Sequence, residues 1–380
     1  MSGRSPSIGP SQAVELHAIR DGLLYTTCGR SLLVGPNEWS LEFRGSLPSV
    51  TKLTRYGGPS LTTRPVQSIL DRVVGRFSTY TVYPITDANI LATSGRAILI
   101  SRDGGQHWEM QDRLPPSSPP FGVLKSGICH HDSTTYIGTY PMNRRDPPSL
   151  LKSTDGGRHW TSIELPDVRH VHSVQADPMS GDIWITTGDA DAACNILRLE
   201  NGELHRIGGG SQQWRAVELA FTQDAILWGM DCPYVKQKSI CKLDRDEIGN
   251  SSPTIVGEVS ESVFYSATIE RDGDYWVAFS TAAETGIDST APDQPVYHNN
   301  TATVVTAAES SDYREWIELV RYSKRRVLAD FLPTNLVHNS NAYIHLGGLD
   351  DAFLINPINT ANSHGRLERM SPLSPNIQDR

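Results

Sequence analysis

Short apolar runs recur along the chain and are separated by glycine-, proline- and asparagine-containing breaks, the pattern of many short strands joined by turns. The runs LLYTT (23–27), ILATS (90–94), TYIGT (135–139), IWITT (183–187), ILWGM (226–230), WVAFS (276–280) and YIHLG (343–347) share one character. They lie mostly 43 to 50 residues apart, with two wider gaps. Each is taken as the second strand of a unit that also supplies one strand before it and two after it. Over 168–207 the four are RHVHSVQAD, DIWITTG, NILRLE and ELHRI. Four short strands per unit, repeated radially, predict an all-β β-propeller. The count gives seven four-stranded blades, with six as the alternative and 282–330 as the region where the count could fail. A length of 380 residues would suggest two or three domains at ~150 residues each. A ring of blades that bury their faces on one another is instead a single domain, expected over 12–370, with polar tails at 1–11 and 371–380.

Two segments match almost letter for letter. Ser101-Arg102-Asp103-Gly104-Gly105-Gln106-His107-Trp108 parallels Ser153-Thr154-Asp155-Gly156-Gly157-Arg158-His159-Trp160, 52 residues later. In S-x-D-G-G-x-x-W the paired glycines permit the positive φ of a tight turn. The Ser and Asp oxygens can accept backbone N–H groups, and the Trp covers the turn. This motif resembles the Asp-box, or BNR, repeat of the sialidase-like β-propellers. H-V-H-S-V-x-x-D-P followed by I-W-I-T-T-G-D is similar to BNR-repeat proteins labelled glycosyl hydrolases. The resemblance implies a propeller fold and turns on the face opposite the ligand. No Arg-Ile-Pro strand occurs, so the sialidase catalytic set is not carried over.

Composition narrows the function classes. No apolar run approaches the ~18 residues of a membrane-spanning helix, so no membrane insertion is expected. Thirty-four basic against 43 acidic side chains give a net charge of −9, with no Lys/Arg block. That balance argues against a nucleic-acid partner. Five widely spaced cysteines without C-x-x-C, and a polar N-terminus without an apolar segment, read as reduced thiols in a cytoplasmic protein.

Antiparallel alternation places the connections between blades, and those between second and third strands, on one face. That face receives long, charged loops. His170 and His172 enter there, and Asp189, Asp231 and Glu284 follow second strands at their exits. Tyr140, Asp191 and the arginines Arg30, Arg96, Arg144, Arg145 and Arg169 lie around the same rim. Two carboxylates across a glycosidic bond are hydrolase apparatus. A His or Tyr base with an arginine-neutralised carboxylate would suit a lyase. The expectation is a carbohydrate-active enzyme for an acidic or substituted saccharide. His170 or His172 is its base, Asp189, Asp231 or Glu284 its acid or electrostatic partner, and Arg30, Arg96, Tyr140, Arg144, Arg169 and Asp191 its substrate contacts. No cofactor is expected, a divalent metal at His170/His172 being the alternative. The rival function is a non-catalytic propeller that binds a glycan or a protein.

Overall fold

A computed structural model describes residues 13–49, 80–116, 122–141, 146–165, 167–249, 252–284, 299–328 and 341–373. The expected tail 1–11, most of 371–380, and Arg144 and Arg145 lie outside these.

The strands form seven antiparallel sheets. Blade 1 contains β1 (Glu15–Arg20), β2 (Leu23–Cys28), β3 (Ser31–Gly35) and β4 (Glu42–Ser46). Blade 2 contains β5 (Thr81–Pro84), β6 (Ile90–Ser94), β7 (Ala97–Ser101) and β8 (Glu109–Arg113). Blade 3 contains β9 (Ile128–His131), β10 (Thr134–Gly138), β11 (Ser149–Ser153) and β12 (Thr161–Glu164). Blade 4 contains β13 (His170–Ala176), β14 (Ile183–Gly188), β15 (Asn195–Glu200) and β16 (Glu203–Gly209). Blade 5 contains β17 (Ala220–Phe221), β18 (Ala225–Gly229), β19 (Lys238–Asp244) and β20 (Thr254–Val259). Blade 6 contains β21 (Val263–Arg271), β22 (Asp274–Thr281), β23 (Thr301–Ala308) and β24 (Ile317–Ser323). Blade 7 has three strands among the described residues: β25 (Tyr343–Leu349), β26 (Ala352–Ile358) and β27 (Glu368–Met370).

The seven-blade expectation holds, and six of the seven marker runs are second strands. YIHLG is the exception. It belongs to β25, the first strand of blade 7, which pairs with β26 through Tyr343↔Ile358 and Leu349↔Ala352. The true second strand, AFLINPI, is buried at every position and contains a proline, so its alternation is lost from the sequence pattern.

Hydrophobic burial is organised between blades. Seven buried apolar clusters each join one neighbouring pair, and together they close the ring. The layer between blades 7 and 1 is the smallest, with Leu16, Leu24, Leu349 and Leu354. Hydrogen bonds reinforce it. Asn356 accepts the Leu16 N–H at 2.9 Å and donates to the Arg366 carbonyl at 2.9 Å, and the Val14 N–H reaches the Gly365 carbonyl at 2.8 Å.

The two S-x-D-G-G-x-x-W segments are the turns from third to fourth strand in blades 2 and 3. Ser153 Oγ accepts the Gly157 N–H at 2.9 Å and donates to Asp155 Oδ1 at 2.9 Å. Asp155 Oδ1 accepts the Arg158 and His159 N–H groups, and Trp160 Nε1 donates to the Gly157 carbonyl. Ser101, Asp103, Gly105 and Trp108 repeat the arrangement. Gly157 has φ +80°, and a Cβ there would meet Ile100 Cδ1 at 2.8 Å, so glycine is required. The turns Cys28-Gly29-Arg30 and Ser94-Gly95-Arg96 also correspond between blades 1 and 2. The Arg30 Nε donates to the Leu47 carbonyl and the Arg96 Nε to the Leu114 carbonyl, while the Leu47 and Leu114 N–H groups return to the arginine carbonyls.

Ser153→Ala should therefore lower stability by about 1–3 kcal/mol, because it strands the buried Gly157 N–H. Thr154→Ala, beside it and exposed, should stay within about 0.5 kcal/mol. Urea denaturation of the two variants distinguishes them, and equal midpoints would contradict this role for the serine.

Candidate functional site

The exits of second strands in blades 3, 4, 5 and 6 bring Tyr140, Asp189, Asp231 and Glu284 to the same face. His170 and His172 open β13, and their rings turn toward the Asp189 carboxylate. His170 Nε2 lies 3.1 Å from Asp189 Oδ2, and His172 Nε2 lies 3.4 Å from Oδ1. His172 Nδ1 faces the Ala216 carbonyl at 3.0 Å, so both of its nitrogens meet acceptors. Tyr140 stacks on His170 with ring centroids 4.0 Å apart. Burial pushes the basicity of His170 down against the pull of Asp189. With Nε2–H donated to Asp189, His170 Nδ1 is a buried acceptor that has no hydrogen-bond partner among the described residues.

Arg215 joins this group to the next blade. It lies in the connection between blades 4 and 5, and its guanidinium is 6% exposed as a residue. Nη2 is 3.3 Å from Asp189 Oδ1, and Nε is 3.3 Å from Asp231 Oδ2. The backbone makes the same connection, with the Asp231 N–H donating to the Arg215 carbonyl at 2.9 Å. Burial alone would raise the Asp189 carboxyl. Hydrogen bonds from His170 and His172, and the Arg215 charge, hold it well below the usual carboxylate range.

Glu284 behaves in the opposite way. Burial, and then the charge of Asp231, push its carboxyl up to about 7, although Ser262 donates to Oε2 at 2.6 Å. Its segment is fixed from two sides. The Ala282 N–H bonds the Ser262 carbonyl, and Ala283 forms a two-way bridge with Ala342 of blade 7. Beneath it Lys238 is fully buried, donates to the Ser260 carbonyl at 2.8 Å, and has its basicity lowered by burial. The site thus places a carboxyl that titrates near neutrality beside one that is ion-paired to an arginine.

Of the expected residues, His170, His172, Asp189, Asp231, Glu284 and Tyr140 are brought together. Asp191 is exposed and accepts from the Gln212 amide at 2.8 Å, and that amide also bonds the Asp189 carbonyl. Arg169 sits at the start of blade 4 with Nη1 near the Pro141 carbonyl at 3.4 Å. Arg30 and Arg96 direct Nε to backbone carbonyls in blades 1 and 2, and Arg144 lies outside the described residues. Two further aromatic side chains, Trp228 and Tyr80, are buried between blades. Among the described residues no group of three or more His, Cys, Asp or Glu side chains is arranged to hold a metal ion. Arg215 was missed. Its signal lay in S-Q-Q-W-R, a connection that enters from the same face as Arg169-His170.

No protein-family model matches the chain, and no curated protein matches it in sequence. Solved structures match in fold. An ancestral GH74 enzyme is 11% identical with a TM-score of 0.55, over 96% of this chain and 47% of that one. YCF48 bound to D1 peptide is 11% identical with a TM-score of 0.50, over 96% of this chain and 95% of that one. The extracellular domain of a two-component system from B. thetaiotaomicron is 14% identical with a TM-score of 0.50. That match covers 94% of this chain, which spans only 38% of the length of the other. At these identities the likeness establishes the propeller fold alone. Among the described residues no helix is long and apolar enough to cross a membrane.

Replacing Arg215 with Met leaves Asp189 and Asp231 buried without their shared cation, and should cost about 3–5 kcal/mol. Chemical denaturation at neutral pH measures the loss, and a cost below about 1 kcal/mol would contradict the bridging role.

Proposed function

We propose that the protein is a saccharide hydrolase of the Asp-box propeller type, working on its loop-rich face. The observation that carries this reading is the raised Glu284 carboxyl next to Asp231. Glycoside hydrolysis needs one carboxyl that is protonated and one that is ionised. In this scheme Glu284 gives its proton to the glycosidic oxygen as the C–O bond to the anomeric carbon breaks. Asp231 stabilises the positive charge that develops there or activates water, whose oxygen completes the new bond. Arg215 is a positioning residue that holds Asp231 through its ion pair and its backbone carbonyl. The open acceptor at His170 Nδ1 takes a substrate hydroxyl, with the ring oriented by Asp189. The repeated serine–aspartate turns support the Asp-box assignment, and they sit on the opposite face, where they shape blades rather than chemistry.

A second reading, a non-catalytic propeller that holds a glycan or a protein, has its own support. Asp189 is already met by His170, His172 and Arg215, as a purely structural network would be. The fold likeness spans a hydrolase and a peptide-bound protein, so it does not choose between the two.

A panel of oligosaccharides, neutral and acidic, tests the enzyme reading. Turnover is expected to fall as pH rises through about 7, as the Glu284 proton is lost. Glu284→Gln and Asp231→Asn should each lower kcat at least about a hundredfold while remaining folded. Absence of turnover across the panel, or full activity in both variants, would favour the binder.

Stability should carry the same signature. Because folding raises the Glu284 carboxyl above its ordinary value of 4.5, the folded state holds the proton more tightly. Stability then declines as pH rises from about 4.5 to about 7, by about 3 kcal/mol at most. Glu284→Gln should remove that decline, as measured by denaturation across the range, and an unchanged slope would contradict the raised carboxyl.

A further inference from the structure

A second polar cluster lies at the ring axis, inward of the carboxylate site. The short turn Lys125–Gly127 precedes the inner strand of blade 3, yet its side chains reach blades 5 and 6. The Lys125 Nζ sits 4.8 Å from the centre of the Tyr265 ring. The Ser126 hydroxyl donates to Glu218 Oε1, and Glu218 Oε2 accepts the Ser266 N–H at 2.7 Å. Blades 3 and 6 are not neighbours in a ring of seven, so these contacts cross the axis. From blade 1, Glu15 adds a carboxylate whose Oε1 is 3.4 Å from His345 Nε2.

The unspent group is the ammonium of Lys125. It has three N–H donors, and among the described residues it has a ring face and two carboxylates in its electrostatic neighbourhood, but no hydrogen bond or ion pair. The residue is half-buried, and burial pulls its basicity down against the charges of Glu218 and Glu15. Glu218, in contrast, is clamped by its serines.

The cluster is continuous with the carboxylate site. Arg215 and Glu218 are three residues apart on one connection, and Ser262 and Ser266 are four apart entering blade 6, about 10–13 Å along extended chain. We propose that this axial cluster is a subsite for a neutral sugar ring adjoining the carboxylate pair. The sugar's oxygens accept from Lys125, and its hydroxyls donate to Glu218 and Glu15. A saccharide hydroxyl offers both a donor and an acceptor, which matches one ammonium flanked by two carboxylates. An anionic ligand would instead meet Glu15 and Glu218 with only one ammonium to offset them. The inference rests on the saccharide reading of the neighbouring site.

Titration of the wild-type chain with glucose, galactose and mannose, and separately with glucuronate and inorganic phosphate, tests it by ligand-observed NMR. A neutral monosaccharide should bind, and Lys125→Met should weaken it about tenfold or more, the loss of one charge-assisted hydrogen bond. Lys125→Gln, which keeps an N–H donor, should bind between the two and serves if the methionine variant does not fold. No binding of any neutral sugar, equal binding by the lysine variants, or preference for glucuronate or phosphate would each overturn the subsite. The oligosaccharide assay separates the two claims. Cleavage without monosaccharide binding sinks the subsite and leaves the hydrolase. Monosaccharide binding that depends on Lys125, without cleavage, sinks the hydrolase and leaves the subsite.

Discussion

One guanidinium, that of Arg215, sets the electrostatics of the loop-rich face. It is buried between two aspartates from adjacent blades and pairs with both. Asp189 becomes the shared acceptor of two histidines, and Asp231 is held beside Glu284. Without the arginine, two carboxylates would be enclosed with no compensating charge, a costly arrangement in a protein interior. Glu284 stands outside both ion pairs, and burial, then the charge of Asp231, raise its carboxyl, with Arg215 opposing the rise.

The propeller is what makes this pairing possible. Seven apolar layers fix neighbouring blades against each other, so strand exits that are far apart in sequence meet at one face. The layer between blades 7 and 1 is thin in apolar side chains, and Asn356 supplements it with backbone hydrogen bonds. Backbone contacts then tie the loops to the frame. The Asp231 amide bonds the Arg215 carbonyl, and the Ala283–Ala342 bridge pins the chain before Glu284 to blade 7. Side chains placed in this way lose little further freedom on meeting a ligand.

The fold was largely legible because its determinants are local. Repeated second strands and the serine–aspartate turns announce themselves through periodicity and turn chemistry. Blade 7 departed where β26 is buried throughout and lost its alternation, so β25 was taken for the second strand. The site was legible only in part. Strand exits pointed to Asp189, Asp231 and Glu284, because topology alone brings them to one face. Arg215 and Lys125 sit in connections between blades, and their partners come from other blades, so no spacing in the sequence marks them. Arg30 and Arg96 show the converse. A rim position followed from topology, but which atoms the guanidinium would meet depended on the neighbouring strand.

The account stands on the state of one carboxyl, and direct titration of Glu284 by carbon NMR of labelled glutamate reaches it without assuming a substrate. Glu284→Gln identifies the resonance. The account predicts a midpoint near 7 in the wild type, falling when Asp231→Asn removes the neighbouring charge. A midpoint near the ordinary 4.5, unmoved by that substitution, would contradict it.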